Sequence, residues 1–237
     1  RRLPFGMMFF DYECVDAVSP GQIVWIRFGN KLCLGLVWSS SLHATFKGSI
    51  KSIEKVITSY PLLTATQLVF GKWISDTFQT PMGMIFTMLL PPLQVRELGK
   101  IQFPIPHTIK NNEKGKRKLV TYGDASTAYT YIKKVVSESS GSVCILVPRA
   151  ETISSLISFI PEALRLESSD SEKHTREVWQ KVRSGEKCVV IGTRSAIFLP
   201  FDFATTYIVL DEEYEGHKQW EGQPLYRVHE IVEYLHR

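Results

Sequence analysis

Nowhere does this sequence run for the roughly eighteen uncharged apolar residues that a membrane-crossing helix requires. Its longest apolar stretch, Met82 to Leu90, is far shorter and carries Gly83 and Thr87, so no membrane partner is expected. Cysteine is scarce: four in 237 residues, at Cys14, Cys33, Cys144 and Cys188, with no CxxC pair among them. That spacing argues against a zinc knuckle and implies no disulfide framework, so no metal site is expected. Four separated thiols read as buried, reduced side chains, which suit a cytoplasmic protein. No basic leader followed by an apolar segment opens the chain, so no secretory signal is read, and a first residue of Arg1 reads as a piece of a longer protein. With 44 % hydrophobic and 22 % charged residues, a disordered tail, a collagen-like fibre and a coiled-coil rod are excluded.

Charge is present but unevenly spread. Residues 1–118 carry 15 Lys and Arg against 7 Asp and Glu, whereas residues 119–237 carry 13 against 17. A polyanion would therefore dock on the first half.

The first half reads as β-rich. Residues 22–28 (QIVWIRF) and 32–38 (LCLGLVW) are strand-like and flank Gly29-Asn30, a hairpin turn signal. Pro20-Gly21 opens the first strand, and a further strand is expected around Gly48 to Val56. A helix is predicted over Thr66–Phe78, with Thr66 as its cap and Leu68, Val69, Trp73 and Ile74 on one side. Residues 101–118 contain Pro104, Pro106, Asn111-Asn112 and the basic run EKGKRK, the composition of an exposed linker. From Leu119 onwards short apolar strands alternate with helical segments. Strands are expected at Lys118–Thr121, Val143–Val147, Cys188–Ile191 and Tyr207–Leu210, and helices at Thr127–Ser137, Glu151–Ile160, Glu172–Val182 and Pro224–Leu235. That alternation predicts a parallel sheet covered by helices.

Three strand ends carry chemistry-bearing residues. Ile208-Val209-Leu210 runs into Asp211-Glu212-Glu213, which is what a Walker B segment needs: Asp211 for a magnesium water shell and Glu212 to orient attacking water. Ile191-Gly192 leads into Thr193-Arg194-Ser195-Ala196, whose hydroxyls and guanidinium suit a phosphate chain. Leu146-Val147-Pro148 ends a third strand.

The strings ILVP (145–148), VVIGTRSAIFLPF (189–201) and IVLDEEYEGHKQWEGQPLY (208–226) together resemble the first motor lobe of the primosomal protein N′ family of replication-restart helicases. Phe10-Asp11-Tyr12, Pro20 to Val24, Phe28-Gly29, Gly35 to Val37, Lys51, Trp73-Ile74, Pro81 to Gly83 and Leu90-Pro91 look like that family's N-terminal 3′-end-binding domain. The resemblance implies a multidomain chain: a small β-rich 3′-end DNA-binding domain over residues 1–100, the 101–118 linker, and an α/β RecA-like parallel-sheet helicase lobe over 119–237. It further implies a terminal-nucleotide pocket at Phe10, Asp11, Gly29 and Lys51. There Asp11 accepts from a 3′-hydroxyl, Gly29 lets backbone approach the sugar, Phe10 faces the base and Lys51 neutralises a phosphate. Thr193 and Arg194 become a second DNA contact.

The glycine-rich loop of the family ends Gly-Lys-Thr. Here the matching stretch is Val120 to Thr127, in which Gly123 and Thr127 align, Ser126 stands in the lysine place and Ala125 in the preceding glycine's. A charge-assisted phosphate contact, worth about 1.5–3 kcal/mol, is lost, and Asp124 adds a like charge to the loop. Asp211, Glu212, Gly123, Ser126 and Thr127 thus read as a worn nucleotide site, and Mg-ATP as a cofactor that the loop disfavours. Three functions stay open: a DNA-binding protein of replication restart that recognises 3′ ends, forks or single strands alongside primosome proteins; a piece of an ATP-dependent 3′–5′ helicase; and an interaction module without a nucleic-acid role.

Overall fold

A computed structural model describes residues 9–41, 48–92, 116–201 and 205–236, and the chain divides into two compact units, Arg1–Phe103 and Pro104–Arg237. Much of the stretch expected as a linker lies outside the described residues.

In the first unit, β2 (Ile23–Phe28) and β3 (Lys31–Leu36) form the foreseen hairpin, in register from Ile23 opposite Leu36 to Phe28 opposite Lys31. Gly29 takes φ +61° at the first turn position, the left-handed conformation that such a two-residue hairpin needs. The single strand expected at 48–56 is instead two: β4 (Lys51–Ser52) pairs with β1 (Tyr12–Glu13), and β5 (Lys55–Val56) pairs with β2. The chain changes partner in between, for the Ile53 amide donates to Glu13 O at 2.8 Å and the Glu54 amide to Trp25 O at 2.9 Å.

Helix α1 (Ala65–Thr77) starts earlier than expected. Thr64, not Thr66, is its cap, because Gln67 three residues on completes a reciprocal capping box. Leu68 and Ile74 are buried on its inner side, while Val69, predicted inward, is 59 % exposed. Helix α2 (Met82–Leu89) packs on α1 across Gly71, where a Cβ would lie 3.1 Å from Leu89 Cδ1 and Phe86 Cε1. A buried network ties the loop after β5 to the sheet: Gln22 Nε2 donates to Thr58 O at 2.7 Å, and Thr58 Oγ1 accepts from the Ile23 amide at 2.9 Å.

The second unit is a four-stranded, all-parallel sheet in the order β7 (Leu164–Leu166), β8 (Val189–Gly192), β6 (Val143–Leu146), β9 (Thr206–Val209). Its helices are α3 (Ala125–Glu138), α4 (Ala150–Phe159), α5 (Glu172–Arg183) and α6 (Val228–His236). This is the parallel sheet covered by helices that the alternation predicted, and it is consistent with the RecA-like lobe that the resemblance implies. Strands β6 and β8 are buried along their whole length, as continuous apolar runs covered by helices must be. Ala128, Ile132 and Val136 of α3 and Ile153, Leu156 and Ile160 of and beyond α4 close one core with Val143, Ile145, Val189 and Ile191.

Two sequence expectations fail here. The stretch Lys118–Thr121 is no strand: Leu119 is 83 % exposed, and the segment is held by side chains, Arg117 to Glu233 at 2.7 Å and Lys118 over the Tyr131 ring at 5.1 Å. Helix α6 begins at Val228 rather than Pro224, because Tyr226 O accepts from the Gln219 amide at 2.9 Å and Arg227 bridges to Lys218. Strand β7, only three residues with an arginine at its centre, carried no periodic signal.

Gly21 is the tightest point of the first unit. It adopts φ +90°, its carbonyl accepts from the Leu62 amide at 2.8 Å, and a Cβ would meet Leu63 O at 2.0 Å. Gly83 sits in α2 with nothing within 4 Å of its Cβ position. Gly21→Ala is expected to lower the unfolding free energy by about 2 kcal/mol or more, and Gly83→Ala to raise it by up to about 1 kcal/mol, read from urea midpoints.

Candidate nucleic-acid interface

The first-unit candidates meet at one edge. Parallel pairing sets Tyr12 opposite Lys51 and Glu13 opposite Ser52, so β1 runs alongside β4 and Phe10-Asp11 lead directly into the paired strand. Lys51 Nζ donates to Gly29 O at 2.9 Å, joining the strand to the hairpin turn. The Phe10 ring stands edge-on to Phe28, centroids 5.0 Å apart, just before that turn, and Tyr12 OH donates to Arg27 O at 3.1 Å. Phe10, Gly29 and Lys51 are therefore neighbours, Asp11 lies in the chain between Phe10 and the paired Tyr12, and all four residues are solvent-exposed. Nothing lies within 4 Å of a Cβ at Gly29, so its demand is conformational and the space beside it is open. The edge offers an apolar ring, a carboxylate and an ammonium with protons to spare after its carbonyl bond.

Phe9 was not singled out from the sequence. It is 47 % exposed, with its ring centroid 5.1 Å from that of Trp38, which in turn lies 6.2 Å from Phe86 of α2. The Phe9-Phe10 doublet ahead of Asp11 was the available signal.

In the second unit the three strand ends are knitted together. Gly216 packs so closely on Pro148 that a Cβ would sit 2.1 Å from the Pro148 carbonyl oxygen, joining the loop beyond β9 to the end of β6. Arg194 Nε donates to Gln219 Oε1 at 2.7 Å, and its Nη1 reaches Gly216 O at 3.5 Å, joining the end of β8 to the same loop. Thr193 and Arg194 are half-buried at the start of a 3₁₀ turn, Arg194–Phe198. Buried His217 holds Leu210 O through Nε2 at 2.7 Å, so Nε2 carries the proton, and burial depresses its pKa. Asp211 follows at φ +53° in an exposed turn with Glu212. Arg149 lies over the Tyr214 ring at 4.4 Å and Lys218 over that of Trp220 at 5.3 Å, while Trp220 is 65 % exposed.

The loop at 120–127 is occupied by its own side chains. Asp124 caps α3, accepting from the Thr127 amide at 2.9 Å and from Thr127 Oγ1 at 3.1 Å. Those bonds hold its carboxyl below the usual carboxylate range. The Tyr122 hydroxyl donates to Asp211 Oδ1. Gly123 faces open space, and Ser126 is exposed at the start of the helix. Helix-terminal amides and the acidic strand end, the two places where phosphate and magnesium chemistry would act, both have internal partners. Burial first, and then the bond to Asp211, push the Tyr122 phenol up to about 12. Its folded-state pKa being raised, the contribution holds below pH 10 and fades as pH rises towards 12. The ultraviolet titration difference between this chain and Tyr122→Phe should show a phenol ionising near 12, moved towards 10 in Asp211→Ala.

Comparison with known proteins adds an independent line. Residues 4–91 match the model of the PriA 3′ DNA-binding domain. The chain is 27 % identical over 256 residues to the replication restart protein PriA of Rickettsia prowazekii, covering 97 % of this chain and 39 % of that protein. Against PriA of Helicobacter pylori strain 26695 it is 26 % identical over 243 residues, covering 94 % and 38 %. A shorter match of 33 % over 104 residues is to PriA of Haemophilus influenzae, covering 42 % and 14 %. The chain thus spans about two fifths of the length of the long-matching relatives. With a β-rich first unit that matches the family's 3′ DNA-binding domain and an α/β second unit that follows it, the chain is similar to PriA over nearly its whole length.

Proposed function

We propose that this chain binds DNA at free 3′ ends during replication restart, through the Phe10, Asp11, Gly29 and Lys51 edge of its first unit. The observation that supports the reading is the Lys51–Gly29 bond close to Phe10, which brings an ammonium and a ring to one open turn, with Asp11 next to Phe10 in the chain. A terminal 3′-hydroxyl can donate to Asp11, whereas a 3′-phosphate repels it. Lys51 offsets the charge of the preceding phosphate, and exposed Phe10 offers a face to the base or sugar. Forked DNA and single strands with free 3′ ends are the substrates of this reading, primosome proteins its further partners, and the cytoplasm its setting.

In the same proposal the second unit serves as a scaffold and auxiliary DNA contact at Thr193 and Arg194, without hydrolysing nucleotide. Ser126 supplies no cation, the Asp124 carboxylate takes the Thr127 amide, and Tyr122 engages Asp211, so the residues present do not fit a magnesium triphosphate. The competing reading, part of an ATP-driven 3′–5′ helicase, draws on the parallel sheet with Asp211 and Glu212 beyond β9. Isothermal titration with millimolar Mg-ATP separates the two: no heat supports the scaffold, and heat lost in Asp211→Ala supports the motor.

Fluorescence anisotropy tests the main reading. Oligonucleotides ending in a 3′-hydroxyl are expected to bind about tenfold to a hundredfold more tightly than their 3′-phosphate counterparts, the effect of one charge-assisted hydrogen bond. Asp11→Ala should abolish the difference. Equal affinities in the unaltered chain would refute the pocket.

A further inference from the structure

Phe9 and Phe10 leave the backbone from Cα atoms about 3.8 Å apart, yet their rings find different partners. Phe10 meets Phe28 beside the hairpin turn, whereas Phe9 meets Trp38 beyond the end of β3. Both rings keep large exposed areas, 47 % for Phe9 and 43 % for Phe10. Trp38 is half-buried and braced by Phe86, itself 9 % exposed on the inner side of α2, so the Phe9–Trp38 pair is backed by core. An aromatic surface open to water, backed by core and carried by the residue next to Phe10, is of the kind that sequence-tolerant single-strand binding uses.

We propose that Phe9 and Trp38 form a second nucleotide subsite, on which the base preceding the 3′-terminal nucleotide stacks. The proposal rests on the reading that the Phe10–Lys51 edge receives a 3′ terminus. Given that, the strand leaving the terminal position passes the neighbouring residue, and Phe9 is that neighbour. Its chemistry sets the ligand class. Every base has a π-face, so a subsite built from two aromatic rings takes any base by stacking. A base is worth about 1–3 kcal/mol on such a platform, hence roughly five- to 150-fold in affinity. It adds affinity without adding sequence preference, which suits a protein that must accept whatever base lies next to the end.

The test compares two 3′-hydroxyl oligonucleotides of the same length by anisotropy with the full chain, one carrying an abasic penultimate residue. The abasic strand is expected to bind at least fivefold more weakly. Phe9→Leu keeps an apolar side chain but loses the π-face. It should bind both strands equally at the weaker level while still preferring 3′-hydroxyl over 3′-phosphate, and Phe9→Tyr should restore the difference. An abasic penalty that is absent, or that persists in full in Phe9→Leu, overturns the subsite. In that case an intact 3′-hydroxyl preference leaves the terminal pocket standing. Loss of that preference in the unaltered chain refutes the pocket and the subsite together.

Discussion

Two residue pairs, Tyr12 with Lys51 and Glu13 with Ser52, carry the candidate interface. So short a parallel ladder has little stability of its own. It persists because both of its strands are tied to the hairpin: Tyr12 by a bond to Arg27 O, Lys51 by its bond to Gly29 O, and the following residues by Ile53 to Glu13 and Glu54 to Trp25. Without that arrangement Phe10-Asp11 and Lys51 would be separate exposed residues 40 positions apart in the chain. With it Phe10 and Lys51 flank an open glycine turn whose left-handed φ few other residues tolerate. The DNA-end chemistry proposed for the first unit depends on this tie before it depends on any single side chain.

The second unit uses a different device. Parallel strands all end on one side, so the residues that follow them converge there without any local pairing. Close backbone approach of Gly216 to Pro148 and the Arg194 bonds to Gln219 and Gly216 O lock these ends into one cluster. Tyr122, which follows no strand and precedes α3, reaches Asp211 across 89 positions of sequence. At the mouth of this fold lie a tyrosine and a capping aspartate. The strand cores of β6 and β8 have no stake in what the loops hold, so the architecture stands whichever groups lie at its mouth.

How far the sequence was legible follows the range of the interactions. The hairpin, α1, α3, α5 and the strands β6, β8 and β9 were readable to within a few residues, since periodicity, turn glycines and caps act between near neighbours. Thr64 as the cap of α1 was in principle readable too, through Gln67 three residues on. The segment Lys118–Thr121 misled, because β-branched content describes a surface that fits a sheet and says nothing of whether a free sheet edge receives it. The break between β4 and β5 was invisible for a related reason: changing partner at Ile53 and Glu54 depends on two strands distant in sequence.

Residue chemistry at the candidate sites was determined by the sequence alone: a carboxylate at 11, a left-handed-capable residue at 29, a missing lysine at 126 and an acidic strand end at 211. Their identity limits the reactions and ligands available, whatever the fold. Tertiary structure decided who is adjacent to whom, setting Lys51 on the Gly29 carbonyl, Phe9 on Trp38, Arg194 on Gln219 and Tyr122 on Asp211. These contacts join residues 22 to 89 positions apart. Only the closing of long loops by the sheet and core brings such residues together, and no local pattern encodes that closure.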